Sequence, residues 1–419
     1  MKSKDERQEE ARVKWIKNKC KGCLVFPTGV GKTYTAIKCL NSVISKYPKI
    51  RFLVIVPTDN LKIQWQEYID NNGLSLNGEV VIVNTGIKNT YSTDILVIDE
   101  LHRINSTCFR DIFKTVKYKY ILGLTATYER LDNLHKEVAE KYCPVIDSIS
   151  IEEALLNNWI APFTEYAVLL DVDNIEEYNK MNKEFIAHYE YFGYDFNLVM
   201  SLLGRTGFIN RAKLRDKMCP NGTVEQRKQV FQQITYHATA FMRILQGRKK
   251  FINNHPKKVE VARRIIESYP FSKIITFSNN VKMAESIGIG KVYTGKDSKS
   301  KARTTIEEFN KCSSGVINSV KKLNEGADLK GLSIAIMLGI DSSEIRATQT
   351  RGRAIRFEKG KHAYIFNLII NDTVEWEWFK KSHEHSPYKI IGEEGLMDVL
   401  SGKEPRPYKR KVRDFTLRY

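Results

Sequence analysis

A strand, a glycine-rich turn and a helix in immediate succession constrain this chain more than any other feature. Cys23 to Phe26 is a short apolar run, Pro27-Thr28-Gly29-Val30-Gly31-Lys32-Thr33 follows, and Tyr34 to Ile44 has helical periodicity. That order commits the segment to a βα unit with the turn at the carboxyl end of its strand. The glycines let the backbone curl until its N–H groups converge on phosphate oxygens, and the helix dipole adds to them. Lys32 can reach the outer phosphates and Thr33 can ligate Mg²⁺. Thr28, Gly29, Val30, Gly31, Lys32 and Thr33 are therefore candidate phosphate contacts. The full pattern has a glycine six residues before the lysine, and here that position is Phe26.

Upstream, residues 4 to 19 read as an amphipathic helix with Ala11, Trp15 and Ile16 on one side. Arg7 and Gln8 lie near its start, and a glutamine amide there can read an adenine edge. Cys20 and Cys23 form a lone CxxC without a second ligand pair nearby, so they frame a strand rather than bind metal.

Downstream, Phe52 to Val56 is an apolar strand ending in Pro57-Thr58, with Leu61, Gln64 and Trp65 at helical spacing after it. Such a strand-to-helix turn can hold a nucleic-acid phosphate. After a strand at Val80 to Val83 comes Ile95-Leu96-Val97-Ile98-Asp99-Glu100-Leu101-His102. An apolar strand that ends in two acids places one carboxylate to hold Mg²⁺ and the next to orient or deprotonate water. Tyr120 to Leu124 is a further strand running into Thr125-Ala126-Thr127, whose hydroxyls could link the acids to a neighbouring cleft. A helix at Ile151 to Asn158 and the stretch Trp159-Ile160-Ala161-Pro162 close this first alternating block.

Residues 174 to 250 break the alternation. They are helical in pattern, charged, and rich in aromatics: Tyr178, Phe185, Tyr189, Tyr191, Phe192, Tyr194 and Phe196. Interleaved basic and aromatic residues suit backbone neutralisation and base stacking; an aromatic helical core is the alternative. From Lys257 alternation resumes, with strands at Lys273 to Ser278, Val292 to Gly295, Val316 to Val320, Ser333 to Leu338 and Ala363 to Ile370. Between the last two lies Gln349-Thr350-Arg351-Gly352-Arg353-Ala354-Ile355-Arg356. Arg353 and Arg356 are three apart and share a helix face, a spacing that can clamp a transferring phosphoryl group. Trp376, Trp378 and Phe379 read as an exposed aromatic cluster. The segment from Ser401 to Tyr419 carries seven Lys or Arg against two acids and reads as a basic tail.

Composition bears on partners and surroundings. The formal charge of +18 over 419 residues favours a polyanion such as nucleic acid. No apolar run approaches ~18 residues, so no transmembrane helix is expected. The charged start, MKSKDERQEE, lacks a signal-peptide core, and seven scattered cysteines suggest a reducing compartment. The expectation is a cytoplasmic protein (host cytoplasm if viral), with no obligate protein partner inferred.

In this order the motifs resemble those of the superfamily 2 helicases and translocases. Arg7 and Gln8 resemble the adenine-reading Q element, and Pro27 to Thr33 motif I, in which a Phe26 is common. Pro57-Thr58 resembles motif Ia, Asp99-Glu100-Leu101-His102 a DExH motif II, and Thr125-Ala126-Thr127 motif III. Thr276-Phe277-Ser278 resembles motif IV, Asn324-Glu325-Gly326-Ala327-Asp328 motif V, and Gln349 to Arg356 motif VI. The LH ending of motif II and the Gln-led motif VI are most similar to UvsW-like, RecG-like and XPB-like DNA helicases, and the small size to a phage branched-DNA helicase. Thr350 departs from the arginine common in relatives.

The resemblance implies an α/β fold of two tandem RecA-like domains, each a parallel doubly wound sheet, with a helical insertion between them. Domain 1 would span residues 1–170, the insertion 171–250, domain 2 251–385 and the basic tail 386–419. It implies ATP and Mg²⁺ as cofactors, with Lys32, Asp99, Glu100, Arg353 and Arg356 catalytic. Arg7, Gln8, His102, Gly326, Asp328 and Gln349 would add to the nucleotide contacts, and Thr33 and Asp99 would hold the metal. Pro57, Thr58, Ser278, Asn279, Thr294, Gly295 and Asn324 would touch DNA, branched forms above all. Rival expectations are a duplex translocase that does not unwind, an RNA helicase, and a nucleic-acid-binding protein gated by ATP.

Overall fold

The computed structural model describes residues 2–103, 111–126, 138, 141–294, 297–320, 329–340, 360–383 and 387–408. Gly295, the motif V run 324–328, the motif VI run 349–356 and residues 386 and 409–419 of the basic tail lie outside them, as does Thr127.

The first helix, α1 (Lys4–Lys17), starts at a capping box in which Ser3 and Glu6 satisfy each other's backbone N–H groups. Arg7, Gln8, Ala11 and Trp15 form its buried side. Then come β1 (Lys21–Val25), α2 (Lys32–Ile44), β2 (Phe52–Val56), α3 (Asp59–Asn71), β3 (Gly78–Ile82), β4 (Ile95–Asp99), β5 (Tyr120–Thr125), β6 (Val145–Ser148) and α4 (Ile151–Leu156). The six strands make one sheet in the order β3-β2-β4-β5-β1-β6, and its pairings are parallel. Every residue of β2 and β4 is buried, the mark of a sheet covered on both faces. Leu24, Val54, Val97 and Leu122 pack on one side of it, Cys23, Leu53, Leu96 and Ile121 on the other. Cys20 and Cys23 are free thiols, and burial pushes the Cys23 thiol well above its usual value beside Cys143.

A second sheet begins with a strand the alternation did not reveal. Phe163–Leu170 forms β7, although the sequence assigned these residues to the end of the first domain. Its sheet also contains β8 (Lys273–Ser278), β9 (Lys291–Tyr293), β10 (Gly315–Val320), β11 (Leu332–Met337), β12 (Ala363–Ile370) and β13 (Lys389–Ile391). Their order is β9-β10-β8-β11-β12-β7-β13, with the pairings from β9 through β12 parallel.

By internal packing the described residues group into two units. One takes residues up to Ala167, Ala262–Asn367 and Trp378–Ile390; the other takes Val168–Val261, Leu368–Glu377 and residues from Ile391 onward. The second unit is built on α5 (Ile175–Glu190), α6 (Phe196–Leu203), α7 (Gly207–Met218) and α8 (Val224–Asn253). Phe185, Phe192, Val199, Leu202, Ile234 and Phe241 are its core, so most aromatics of this segment serve packing. Tyr194 and Phe196 remain exposed, as do Phe208 and Ile209 on α7. Arg248 lies 4.1 Å above the Phe185 ring and donates to the Tyr178 hydroxyl at 3.2 Å. Lys258 and Glu375 form an ion pair at 2.5 Å with both side chains fully buried, and Glu375 also accepts from the Ile370 N–H.

The aromatic cluster near residue 376 is a correction. Trp376 is 5% exposed and Phe379 is buried outright, its ring stacked 4.0 Å from that of His383. Trp378, on the same helix Val374–Ser382, is half-buried, so Trp376 and Phe379 lose the exposure the sequence suggested and Trp378 keeps part of it. Among the described residues no helix is long and apolar enough to cross a membrane.

Candidate active site

Register brings the motifs together. Val25 stands opposite Thr125 across β1 and β5, and Asp99 opposite Leu124 across β4 and β5. The loop after β1, the acids at the tip of β4 and the hydroxyl at the end of β5 therefore share one edge of the sheet. This is the carboxyl edge, where doubly wound sheets hold ligands.

The loop has the curl that its glycines allow. Gly29 and Gly31 both have φ of 96°, and Gly31 caps α2 from the left-handed region. The left-handed φ strains any residue with a Cβ at Gly31, and that Cβ would also stand 2.6 Å from Gln8 Nε2, which would have to shift. Phe26 occupies the place of the missing first glycine as a fully buried anchor whose N–H donates to the Thr125 carbonyl at 2.9 Å. Lys32 Nζ rests on the Phe26 carbonyl at 3.3 Å, a long bond that is easily exchanged for an anion.

The acids differ in environment. Asp99 is 6% exposed; Trp65 Nε1 donates to its Oδ2 at 2.8 Å and the Glu100 N–H to its Oδ1 at 3.0 Å. Burial and then the neighbouring Glu100 charge push its carboxyl up to about 6, while Trp65, Lys32 and the Glu100 amide pull the other way. Glu100 has φ of 52°, a conformation costing a non-glycine residue about 1–2 kcal/mol. Such an outlier at a ligand-binding edge points to function. Glu100 Oε2 lies 3.3 Å from His102 Nδ1, and the same nitrogen is 3.0 Å from the Thr125 hydroxyl. Motifs II and III are thus joined through one buried imidazole.

A glycine cradle beside a buried, electrostatically costly carboxylate suits a nucleotide phosphate with a hard cation. The oxygen donors available, Thr33 and Asp99, fit Mg²⁺.

The remaining sequence candidates are dispersed. Arg7 is engaged by Asp147 at 2.5 and 3.0 Å and by Glu153 at 3.2 Å, and Gln8 Nε2 donates to the Val30 carbonyl at 2.9 Å. Pro57 and Thr58 follow β2, with Thr58 capping α3 through the Leu61 N–H at 3.4 Å. Ser278 ends β8, buried, and Asn279 follows it with its amide against Gly339. Thr294 binds Asp297 through both its N–H, at 2.6 Å, and its hydroxyl, at 3.1 Å. Catalytic candidates Arg353 and Arg356 lie outside the described residues, with Asn324, Gly326, Asp328 and Gln349. Two contributors were missed. Trp65 sits 34 residues before Asp99 and read as a helix-face apolar residue. Lys4 was only the first residue of the helix expected over residues 4 to 19, yet its Nζ donates to the Gly29 carbonyl at 2.5 Å.

The Asp99 environment sets a pH dependence. A carboxyl raised from 3.8 to about 6 is favoured protonated in the fold, so its contribution to stability is lost as pH rises through about 6. A cation held by Asp99 would need the ionised form, and its binding would weaken as pH falls through that value. The Mg²⁺ concentration that half-saturates ATP turnover should rise about tenfold per unit below pH ~6. Trp65→Phe removes a donor to the ionised carboxylate, so the rise should begin at higher pH. Magnesium titrations at several pH values, on both proteins, check this.

Two family models match the chain: "Type III restriction enzyme, res subunit" over residues 2–90 and 83–130, and "Helicase conserved C-terminal domain" over residues 257–358. The chain is 26% identical over 401 residues to the DNA 3'-5' translocase XPB2 of Sulfurisphaera tokodaii, covering 90% of this chain and 84% of the relative. The helicase domain of Pyrococcus furiosus Hef is similar in structure, with TM-score 0.53, 18% identity, and coverage of 90% and 97% of the two chains. S. cerevisiae Dbp5 bound to RNA and ADP BeF3 is similar with TM-score 0.58, 11% identity, and coverage of 94% and 91%. These likenesses give the fold: two parallel α/β sheets of the tandem RecA-like kind.

Proposed function

Because this chain belongs to the superfamily 2 helicases, ATP-hydrolysing enzymes, and resembles their XPB-like members, we propose that it is a DNA motor that remodels branched DNA. Forks and junctions met in replication, recombination or repair are its substrates. The observation that carries the motor reading is the convergence of the phosphate loop, Asp99, Glu100, His102 and Thr125 on one sheet edge.

In this reading Lys32 and the amides of residues 28 to 33 hold the triphosphate, and Gln8 reads the base. Thr33 and Asp99 hold Mg²⁺, which when bound offsets phosphate charge. Glu100 orients water and accepts its proton, and His102 relays the state of that carboxylate to Thr125. Arg353 and Arg356 complete the charge clamp, with Gly326, Asp328 and Gln349 beside the nucleotide. Their arrival is the step that couples hydrolysis to movement between the tandem domains, 1–170 and 251–385. Pro57, Thr58, Ser278, Asn279, Thr294, Gly295 and Asn324 grip the DNA backbone.

The charge of +18 supports a polyanionic track, and the similar translocase is named for DNA. The helical segment 171–250 is proposed to part the strands. Ile209, Lys213 and Lys217 recur at four-residue spacing on α7, beside Phe208, which is 66% exposed. Like charges four apart weaken a helix, which favours a polyanion as their partner. The name of that relative also favours a second reading, duplex translocation without unwinding. Displacement of a labelled strand from forks and four-way junctions, compared with displacement of a third strand from plain duplex, separates the two. Release from forks and junctions supports remodelling; release of the third strand alone supports translocation.

A further inference from the structure

The start of α1 does something for the phosphate loop beyond the adenine reading expected of Gln8, and Lys4, which belongs to none of the motifs, takes part in it. Lys4 Nζ donates to the Gly29 carbonyl at 2.5 Å, and Gln8 Nε2 donates to the Val30 carbonyl at 2.9 Å. Lys4 and Gln8 are four apart and so share one helix face, which lies along the loop. Each grips one of two consecutive peptide units.

A trans peptide is planar, with its C=O and N–H pointing in opposite directions. A carbonyl held toward α1 therefore turns the next N–H away from it. Gripping Gly29 O fixes the peptide whose N–H, that of Val30, closes the turn on the Pro27 carbonyl at 3.3 Å, and gripping Val30 O orients the Gly31 N–H. The Gly31 amide lies at the entry to α2, where a nest for phosphate must have its donors aligned, and the closed turn before it sets where that amide starts. Neither glycine could hold such a curl by its own preference, because glycine loses the most conformational freedom on ordering.

The grip is useful only if α1 is itself fixed, and it is. Arg7 is held by Asp147 and Glu153, and Trp15 Nε1 donates to the Ile121 carbonyl at 3.0 Å. Trp159 Nε1 donates to the Lys2 carbonyl at 3.0 Å, and the Lys2 N–H donates to Asn157 Oδ1 at 2.9 Å. These bonds tie the helix to β5, β6 and α4 rather than to the loop. Lys4 is also drawn out of water, and burial lowers its ammonium from the ordinary lysine range. A lysine that merely decorates a helix start stays solvated.

We infer that Lys4 is a positioning residue of the phosphate loop: it pins the Gly29–Val30 peptide so that the loop presents its amides to the triphosphate before ATP arrives. This rests on the ATP site proposed above, and it concerns the phosphate half of the nucleotide alone.

Lys4→Met keeps the length of the side chain and removes its donor; Lys4→Arg restores a donor. Competition against a fluorescent ADP analogue is the measurement, with ATP, inorganic tripolyphosphate and adenosine as competitors. Lys4→Met should weaken ATP and tripolyphosphate about tenfold, equivalent to ~1.4 kcal/mol, and leave adenosine within about twofold. Lys4→Arg should recover most of the loss. In turnover the loss should fall on KM for ATP rather than on kcat. The inference is overturned if Lys4→Met binds tripolyphosphate like the parent, if adenosine weakens equally, or if Lys4→Arg is no better than Lys4→Met. If the parent itself binds neither ATP nor tripolyphosphate, the ATP site is misassigned, a different failure.

Discussion

Glu100→Gln should lower ATP turnover by about 10²–10⁴-fold and leave ATP affinity within a few-fold of the parent, the size expected when a positioned proton acceptor is removed. The substitution is nearly isosteric. It keeps the amide N–H that donates to Asp99 and the size of the group beside His102. What it removes is the negative charge that orients and deprotonates water. It also removes a repulsive neighbour of Asp99, since the Glu100 charge is the second cause of that carboxyl's rise. Metal affinity should therefore be no worse in the variant. Equilibrium nucleotide binding together with single-turnover hydrolysis checks the split, and parent-like hydrolysis would remove Glu100 from the chemistry.

Lys32→Ala should abolish turnover and weaken ATP as well. Among the described residues the ammonium is hydrogen-bonded at rest by the long contact to the Phe26 carbonyl, so the fold loses little without it. Once phosphate is bound, the same group makes a charge-assisted contact of about 1.5–3 kcal/mol, or roughly 10- to 150-fold in affinity. Stabilisation of charge developing during transfer adds a further ~10²–10³ in rate. A melting temperature close to the parent's, alongside lost binding and hydrolysis, is the expected pattern. Lys32 and Glu100 thus separate, one failing at binding and the other at chemistry.

What could be read from sequence followed the range of each interaction. The phosphate loop is local: Gly29, Gly31 and Lys32 define it within one turn, and the structure shows the curl that the glycines foretold. The acids at the tip of β4 were likewise legible, because an apolar strand ending in Asp99-Glu100 is a contiguous signal. Partnerships across the chain were not. Trp65 looked like one more apolar helix residue, yet its indole N–H tunes Asp99. Arg7 looked like a nucleotide contact, and the structure shows it paired with Asp147, 140 positions away. The strand Phe163–Leu170 was hidden because its neighbours in the sheet, β12 and β13, come some 200 residues later. Trp376 and Phe379 read as exposed because periodicity alone does not say which face of a helix is covered. Lys4 is the reverse case, a charged residue at a helix start whose ammonium has a backbone carbonyl to hold.

The central claim is that ATP hydrolysis at this edge of the first sheet drives a motor on DNA. Its most direct test is the steady-state ATPase rate with no nucleic acid, single-stranded DNA, duplex, fork, four-way junction and RNA, all at one fixed salt concentration because affinity depends on it. Stimulation of about tenfold or more by DNA, strongest with forks and junctions and absent in Glu100→Gln, is the expected result. A rate that no DNA changes, or that RNA alone raises, would contradict the claim.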